Sequence, residues 1–513
     1  MNCGLKICGS RFSPSFILFE IDRISLKVTH TTEHKTMSEI FVGDYIYEAK
    51  KALQNEVLQV ALADLQNRFG RGTARAYKNL PEGPELRLKA HDIRRQAIEN
   101  LDVLLETLAE NVRKNGGHVF FAEDANAAVN YCLAVTEKHH VKLAVKGKSM
   151  VGEEVGLNHA FNDAGIEVAE TDLGEYIIQL AGERPSHIIA PAIHKTRNDI
   201  GSLFSNKLGI AYTNDPPKLT WAARKALREK FLAADMGLSG CNLACAETGH
   251  ITTVSNEGNI RMSTTMPKIH VAIMGMERVA ARLEDHDMLL RLLCRGAAAQ
   301  NMATYVSYIG GPREFSQIDG PDEFHLVILD NGRSRILADD EFREMLYCIR
   351  CAACLNICPV YGKIGGHSYG HPYSGPVGAV IMPLLAGINE AKDLCQGETL
   401  CGACQDACSV NIDIPRMLLA LRAKLADGDS NWNVNRANNS EKAAYKIWSW
   451  IIQNRGVYDL CLRMAALSQK LFPKNNGMIR WLPPPANGWT QSRDIKPIAG
   501  KSFMQRWRSG EFN

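Results

Sequence analysis

The chain has no apolar run approaching the roughly 20 residues that a membrane-spanning helix needs. Its nearest stretch, residues 16–21, is short and interrupted by Glu20. The same region lacks the long apolar core of a secretory signal, because Asp22, Arg23 and Lys27 follow at once. Neither a P-loop nor a well-placed GxGxxG is present, so no nucleotide fingerprint is available. Charge of one sign is missing too. A net charge of +3 over 513 residues predicts no particular partner. With 45% hydrophobic and 22% charged residues, the composition is that of an ordinary globular protein of two or more domains.

Cysteine is plentiful, with 15 residues. Seven of them fall in two tightly spaced runs, which argues for metal in a reducing compartment and against a disulfide framework. A cytoplasmic location is therefore expected. Residues 1–44 are read as a partly disordered extension, with Met37 a candidate working start.

Residues 45–335 are expected to form an α/β domain. Helical composition to about residue 114 is followed by apolar strand signals at 118–121, 141–145, 166–168, 187–190, 269–274 and 324–329. Helical patterns at 125–138 and 153–163 alternate with them, which predicts a mainly parallel sheet. Ligands of such sheets sit where strand ends turn into helices. Asp172, His194 and Glu257 lie at such turns, although Asp172 equally suits a helix cap and Asn256 to Asn259 a simple turn. Cys132, Cys241, Cys245, Cys294 and Cys461 read as buried small hydrophobes.

Residues 336–427 carry the strongest signal. Cys348, Cys351, Cys354 and Cys358, with Pro359 after them, match CxxCxxCxxxCP, a spacing in which three thiolates wrap one iron-sulfur cube and the fourth reaches another. Cys401, Cys404 and Cys408 form a second, shorter run. Crossing the last ligands predicts Cys348, Cys351, Cys354 and Cys408 on one cluster and Cys358, Cys401 and Cys404 on the other. The second set is one ligand short. The position three before Cys401 is Glu398, and Cys395 lies six before it. Three completions stay open: Cys395 looping in, a three-iron or labile site, or another ligand. Ser409 stands where a proline usually follows the last cysteine. Paired CxxC units also hold zinc, but a closed zinc tetrahedron has no use for a crossed fourth thiolate. Between the runs lies a glycine-rich loop with His367 and His371, either of which could tune a cluster or bind a ligand. Residues 428–513 form a further region with a polar linker, a helical pattern at 443–452 and an extended basic tail.

From about Met37 onward the chain resembles the lactate-utilisation protein B family. The likeness rests on Glu170-Thr171-Asp172-Leu173-Gly174-Glu175-Tyr176-Ile177, Gly182-Glu183-Arg184-Pro185-Ser186-His187-Ile188, Pro191-Ala192-Ile193-His194-Lys195, Ser255-Asn256-Glu257-Gly258-Asn259, both cysteine runs and Gly488-Trp489-Thr490. It implies an α/β domain related to sugar-phosphate isomerases and coenzyme A transferases, then a ferredoxin-like domain with two 4Fe-4S clusters. It further implies oxidation of L-lactate to pyruvate with two companion proteins, one cysteine-rich and one sharing the α/β domain. In similar proteins the Cys395 position is proline, which argues against Cys395 as a shared ligand. Electron transfer is the leading expectation. The rivals are an α/β domain that itself binds a small hydroxy acid, and an assembly or regulatory protein using clusters as structural staples.

Overall fold

The computed structural model describes residues 44–511, apart from 187, 371, 437, 438, 473, 476, 485, 491 and 492. The extension at 1–43, with the Met37 start, and His371 lie outside the described residues.

The apolar runs form ten strands in the first unit: β1 (His118–Ala122), β2 (Leu143–Lys146), β3 (Glu167–Glu170), β4 (Met236–Gly240), β5 (Leu243–Cys245), β6 (His250–Ser255), β7 (Ile269–Gly275), β8 (Val279–Ala280), β9 (Tyr305–Ile309) and β10 (Glu323–Leu329). Six make a sheet in the order β1-β10-β7-β4-β2-β3, every pair parallel. All seven residues of β7 are buried, as expected for a central parallel strand covered on both faces. A second, mixed sheet runs β8-β5-β6-β9.

The helix Ala125–Lys138 forms as its spacing predicts and is capped by Asp124, whose carboxylate accepts from the Ala127 amide at 2.8 Å. The pattern at 153–163 divides into Met150–Glu154 and Leu157–Asp163, because Gly156 takes φ 66° between them. Of the strand expected at 187–190, residues 188–190 form no strand: 188 and 189 are bends leading to a turn at 191–194, and 187 lies outside the described residues. Pro185 and Pro191 flank it without amide donors, and Ser186 N–H donates to the Pro191 carbonyl at 2.9 Å, closing the segment as a loop. The segment that leads into the first cysteine run forms a short helix, Arg333–Leu337, and a 3-10 turn, Arg343–Tyr347.

Two compact units emerge. One holds the chain through Leu425 together with Ser430–Val434, and the other holds Ala426–Asp429 and the chain from Asn435 on. The cysteine segment thus belongs to the same unit as the α/β sheet. Arg94, fully buried on the helix Gly83–Glu99, ties them by donating to the carbonyls of Tyr347 and Leu346 and, on the sheet side, of Val279 and Glu277. The second unit contains the helices Asn439–Gln453 and Arg455–Ser468. No helix among the described residues is long and apolar enough to cross a membrane.

Candidate iron-sulfur site and adjoining cavity

The 3-10 turn Arg343–Tyr347 delivers an extended Cys348, and the backbone then takes positive φ at Arg350 and Ala352 on either side of Cys351. A single turn of helix, Ala353–Ile357, carries Cys354 and ends in an extended Cys358. This curl brings amides toward sulfur: Arg350 N–H donates to Cys348 Sγ at 3.3 Å and Tyr361 N–H to Cys358 Sγ at 3.4 Å. The second run repeats the device, with positive φ at Leu400 and Gly402 and the helix Ala403–Asp406 carrying Cys404.

Of the seven predicted ligands, Cys351, Cys354, Cys358, Cys404 and Cys408 are buried, Cys348 is half-buried and Cys401 exposed. Burial pushes the Cys404 and Cys408 thiols up to about 12. Cys354 is also raised by burial, then by Cys348, Cys351 and Cys408. Thiols so placed ionise only beside a compensating cation, which is the environment metal supplies. The fully buried Asn356, between Cys354 and Cys358, has no partner for either amide atom among the described residues, and such a donor suits cluster sulfur. Zinc fits less well. Among the described residues only His118, Glu323 and His325 bring three such ligand atoms within 4.8 Å of one another. Tetrahedral zinc at a Zn–S distance of about 2.3 Å would demand that closeness of the thiols. The three-residue exception is already engaged, since Glu323 pairs with Lys138 at 3.0 Å and His139 at 3.1 Å.

The α/β side presses against the first run. Ser409 Oγ lies 3.1 Å from Cys351 Sγ and accepts from Tyr77 Oη at 2.6 Å. A π-helical turn, Gln66–Gly70, abuts the end of the first run, with Gln66 Nε2 donating to the Cys358 carbonyl at 2.7 Å. Cys395 stands apart. Its thiol points at the Ala391 carbonyl, 3.7 Å away on the preceding helical turn.

A cavity of about 620 Å³ opens where β2 and β3 end, and the glycine-rich loop forms part of its wall through Gly366, His367, Gly370 and Ser374. Of the three residues proposed for a small acid, His194 lines it. Asp172 instead caps the helix Leu173–Ala181, accepting from Glu175 N–H at 3.1 Å, and Glu257 accepts from Leu173 N–H at 3.2 Å. His367 is held to the Arg184 carbonyl at 2.7 Å and packs edge-on against His194. The loop packs against the irregular segment after the helix Leu173–Ala181 closely enough that a Cβ at Gly366 would sit 1.9 Å from the Ser186 carbonyl oxygen.

Two buried charge clusters were not read from sequence. Lys146, at the end of β2, pairs with Glu170 of β3 at 2.6 Å, both buried. Arg333 bridges Glu154 and Glu277, each at 2.8 Å, and Arg350 from the cysteine run joins Glu277 at 3.2 Å. A lone Lys or Arg in a strand end or loop gives no periodic signal; only a charged residue inside an otherwise apolar stretch, as in Ala144-Val145-Lys146, hints at it.

Comparison with known proteins agrees with this arrangement. Residues 105–329 match the LUD domain, 344–412 the 4Fe-4S dicluster domain, and 431–511 the C-terminal region of lactate utilisation protein B. Lactate utilization protein B of Bacillus licheniformis is 44% identical over 456 residues, covering 89% of this chain and 94% of its own. The protein of the same description from Bacillus cereus is 43% identical over 455 residues, with the same coverage. A crystal structure of a DUF162 family protein from Deinococcus radiodurans covers 45% of this chain and 98% of its own at 12% identity, with a TM-score of 0.26. With a LUD domain, a 4Fe-4S dicluster domain and relatives at this identity over nearly their full length, the chain belongs to the lactate utilization protein B family.

Proposed function

We propose that this chain is an electron-carrying subunit of a system that oxidises L-lactate to pyruvate, using two 4Fe-4S clusters. The observation that carries the reading is the crossed proximity of the thiols. Ser409, next to Cys408 in the second run, lies 3.1 Å from Cys351 Sγ of the first, and Cys358, from the first, meets the second run at Glu398, 3.2 Å away. This supports Cys348, Cys351, Cys354 and Cys408 as one ligand set and Cys358, Cys401 and Cys404 as the core of another. Conversion of lactate to pyruvate releases two electrons and two protons, and a bound pair of cubes would take up one electron each. The protein holds the thiols in place and aims amide donors at them, while burial sets solvent access. Two companion proteins, one cysteine-rich and one sharing the α/β domain, complete the system in the cytoplasm, and contact with the inner membrane is through them.

Cys354→Ala tests the reading in cells. It removes a buried ligand of the first set, and lactate-dependent growth should be lost together with the cluster signal. Unchanged growth with that signal lost would overturn it.

A second reading, in which the α/β domain binds a small hydroxy acid, is favoured by the cavity at the ends of β2 and β3. Its basic side chains are largely engaged, with Lys148 on Glu175 at 2.8 Å and Lys195 and His194 both on Glu183, the latter at 2.8 Å. Calorimetry of the full chain with L-lactate separates the two, since a carrier alone gives no heat of binding. A staple role predicts instead that redox titration finds no accessible reduction.

A further inference from the structure

We infer that Glu398 supplies the fourth protein ligand of the second cluster through its carboxylate, completing a set with Cys358, Cys401 and Cys404. The inference rests on the proposed two-cluster reading and deepens it.

The two runs are repeats in backbone as well as in spacing. Aligning Cys351 with Cys401 and Cys354 with Cys404 places Glu398 at the position of Cys348. Positive φ then recurs in register, at Arg350 and Leu400 before the middle cysteine and at Ala352 and Gly402 after it. Cys348 (φ −61°, ψ 124°) and Glu398 (φ −91°, ψ 149°) are both extended, each closing the helical turn before it. By this register Glu398 owes the second cluster what Cys348 gives the first.

The side chain is placed accordingly. Glu398 is only 8% exposed, and its Oε2 lies 3.2 Å from Cys358 Sγ, the ligand that crosses over from the first run. Tyr369 holds the other oxygen, donating to Oε1 at 2.8 Å. The segment is braced by Arg422, whose guanidinium donates to the Glu398 carbonyl at 2.7 Å and to that of Cys395 at 2.8 Å. Arg422 reaches the backbone of this segment, but the Glu398 carboxylate itself makes no ion pair among the described residues, and a carboxylate buried beside thiols suits the cation that iron supplies. On metal binding the Cys358 thiol proton goes to solvent and an Fe–O bond takes the place of its hydrogen bond to Glu398. A carboxylate carries the same unit charge as a thiolate but is a harder donor, so the iron it holds is the most readily lost.

The test uses the full chain purified without oxygen, as wild type, Glu398→Gln, Glu398→Cys and Cys395→Ala, with iron and sulfide analysis and EPR. Wild type should hold about eight irons and, on mild oxidation, lose about one to give a three-iron signal of about one spin per chain. Glu398→Cys should keep about eight through the same oxidation. Glu398→Gln should show about seven irons and the three-iron signal before any oxidant is added. Cys395→Ala should behave as wild type. Circular dichroism matching wild type establishes that the variants fold, and the retention gained by Glu398→Cys does not depend on a loss. If Glu398→Gln keeps the wild-type iron content and oxidation behaviour, or if Cys395→Ala loses the iron instead, the assignment is overturned. A wild type without any cluster would defeat the two-cluster reading itself, whereas one cube plus a fixed three-iron centre in every variant would defeat only the role of Glu398.

Discussion

Ser409 Oγ sits 3.1 Å from Cys351 Sγ. Because Tyr77 donates to the same hydroxyl at 2.6 Å, the seryl proton is left to face the sulfur. Hydrogen bonds to cluster sulfur stabilise the reduced, more negative state and raise the potential. Ser409→Ala should therefore lower the midpoint of one cluster by on the order of tens of millivolts and leave the other unmoved, as read by EPR-monitored redox titration. Unmoved potentials would show that the hydroxyl does not act on the cluster.

Gly296, on the α/β helix Leu283–Ala298, packs against the same sulfur. A Cβ there would stand 2.3 Å from Ser409 Oγ and 3.0 Å from Cys351 Sγ. Gly296→Ala should displace both and selectively empty the first site, cutting iron from about eight toward about four per chain.

Arg333 is buried between Glu154 and Glu277, with all three side chains at most 1% exposed. Arg333→Met keeps the volume but leaves two carboxylates short of their main cation. Breaking a buried pair in this way costs about 3–5 kcal/mol, to be read as a lowered urea midpoint. Arg350 shares Glu277, so the loss should carry over to cluster retention.

Glu344 joins the helices on either side of the cysteine runs, accepting from Arg416 at 2.8 Å and from Asp413 N–H at 2.8 Å, with His91 at 3.5 Å. Burial alone would raise its carboxyl, but His91, the Asp413 amide and Arg416 outweigh burial and hold it at about 2. A depressed carboxyl contributes stability above its unfolded value of about 4.3, and that stability fades as pH falls toward the folded value. The stability gap between wild type and Glu344→Gln should accordingly be constant from pH 7 to about 5 and close on further acidification, as measured by urea unfolding at each pH.

Regular periodicity was the most legible part of the fold. The helix at 125–138 and five of the six expected strands follow from apolar runs and caps such as Asp124. β4 was not read, because Met236-Gly237-Leu238-Ser239-Gly240 is rich in glycine and lacks β-branched residues; a Cβ at Gly237 would lie 1.8 Å from the Ser263 carbonyl oxygen. The mixed sheet of β5, β6, β8 and β9 was likewise hidden in short strands whose pairing is set by distant segments. At the site, spacing alone pointed to the cysteines and left the fourth ligand of the second set open. It could not place Cys395 against Ala391, nor show that Asp172 is spent on a helix cap while His194 reaches the cavity.

The most direct measurement of the central claim is EPR of the chain, combined with the two companion proteins proposed for it, after anaerobic addition of L-lactate. The account predicts that clusters ligated by this chain become reduced as pyruvate forms, and that Cys354→Ala abolishes their signal. Pyruvate forming at the wild-type rate while those clusters stay oxidised, or forming undiminished in the Cys354→Ala protein, would contradict it.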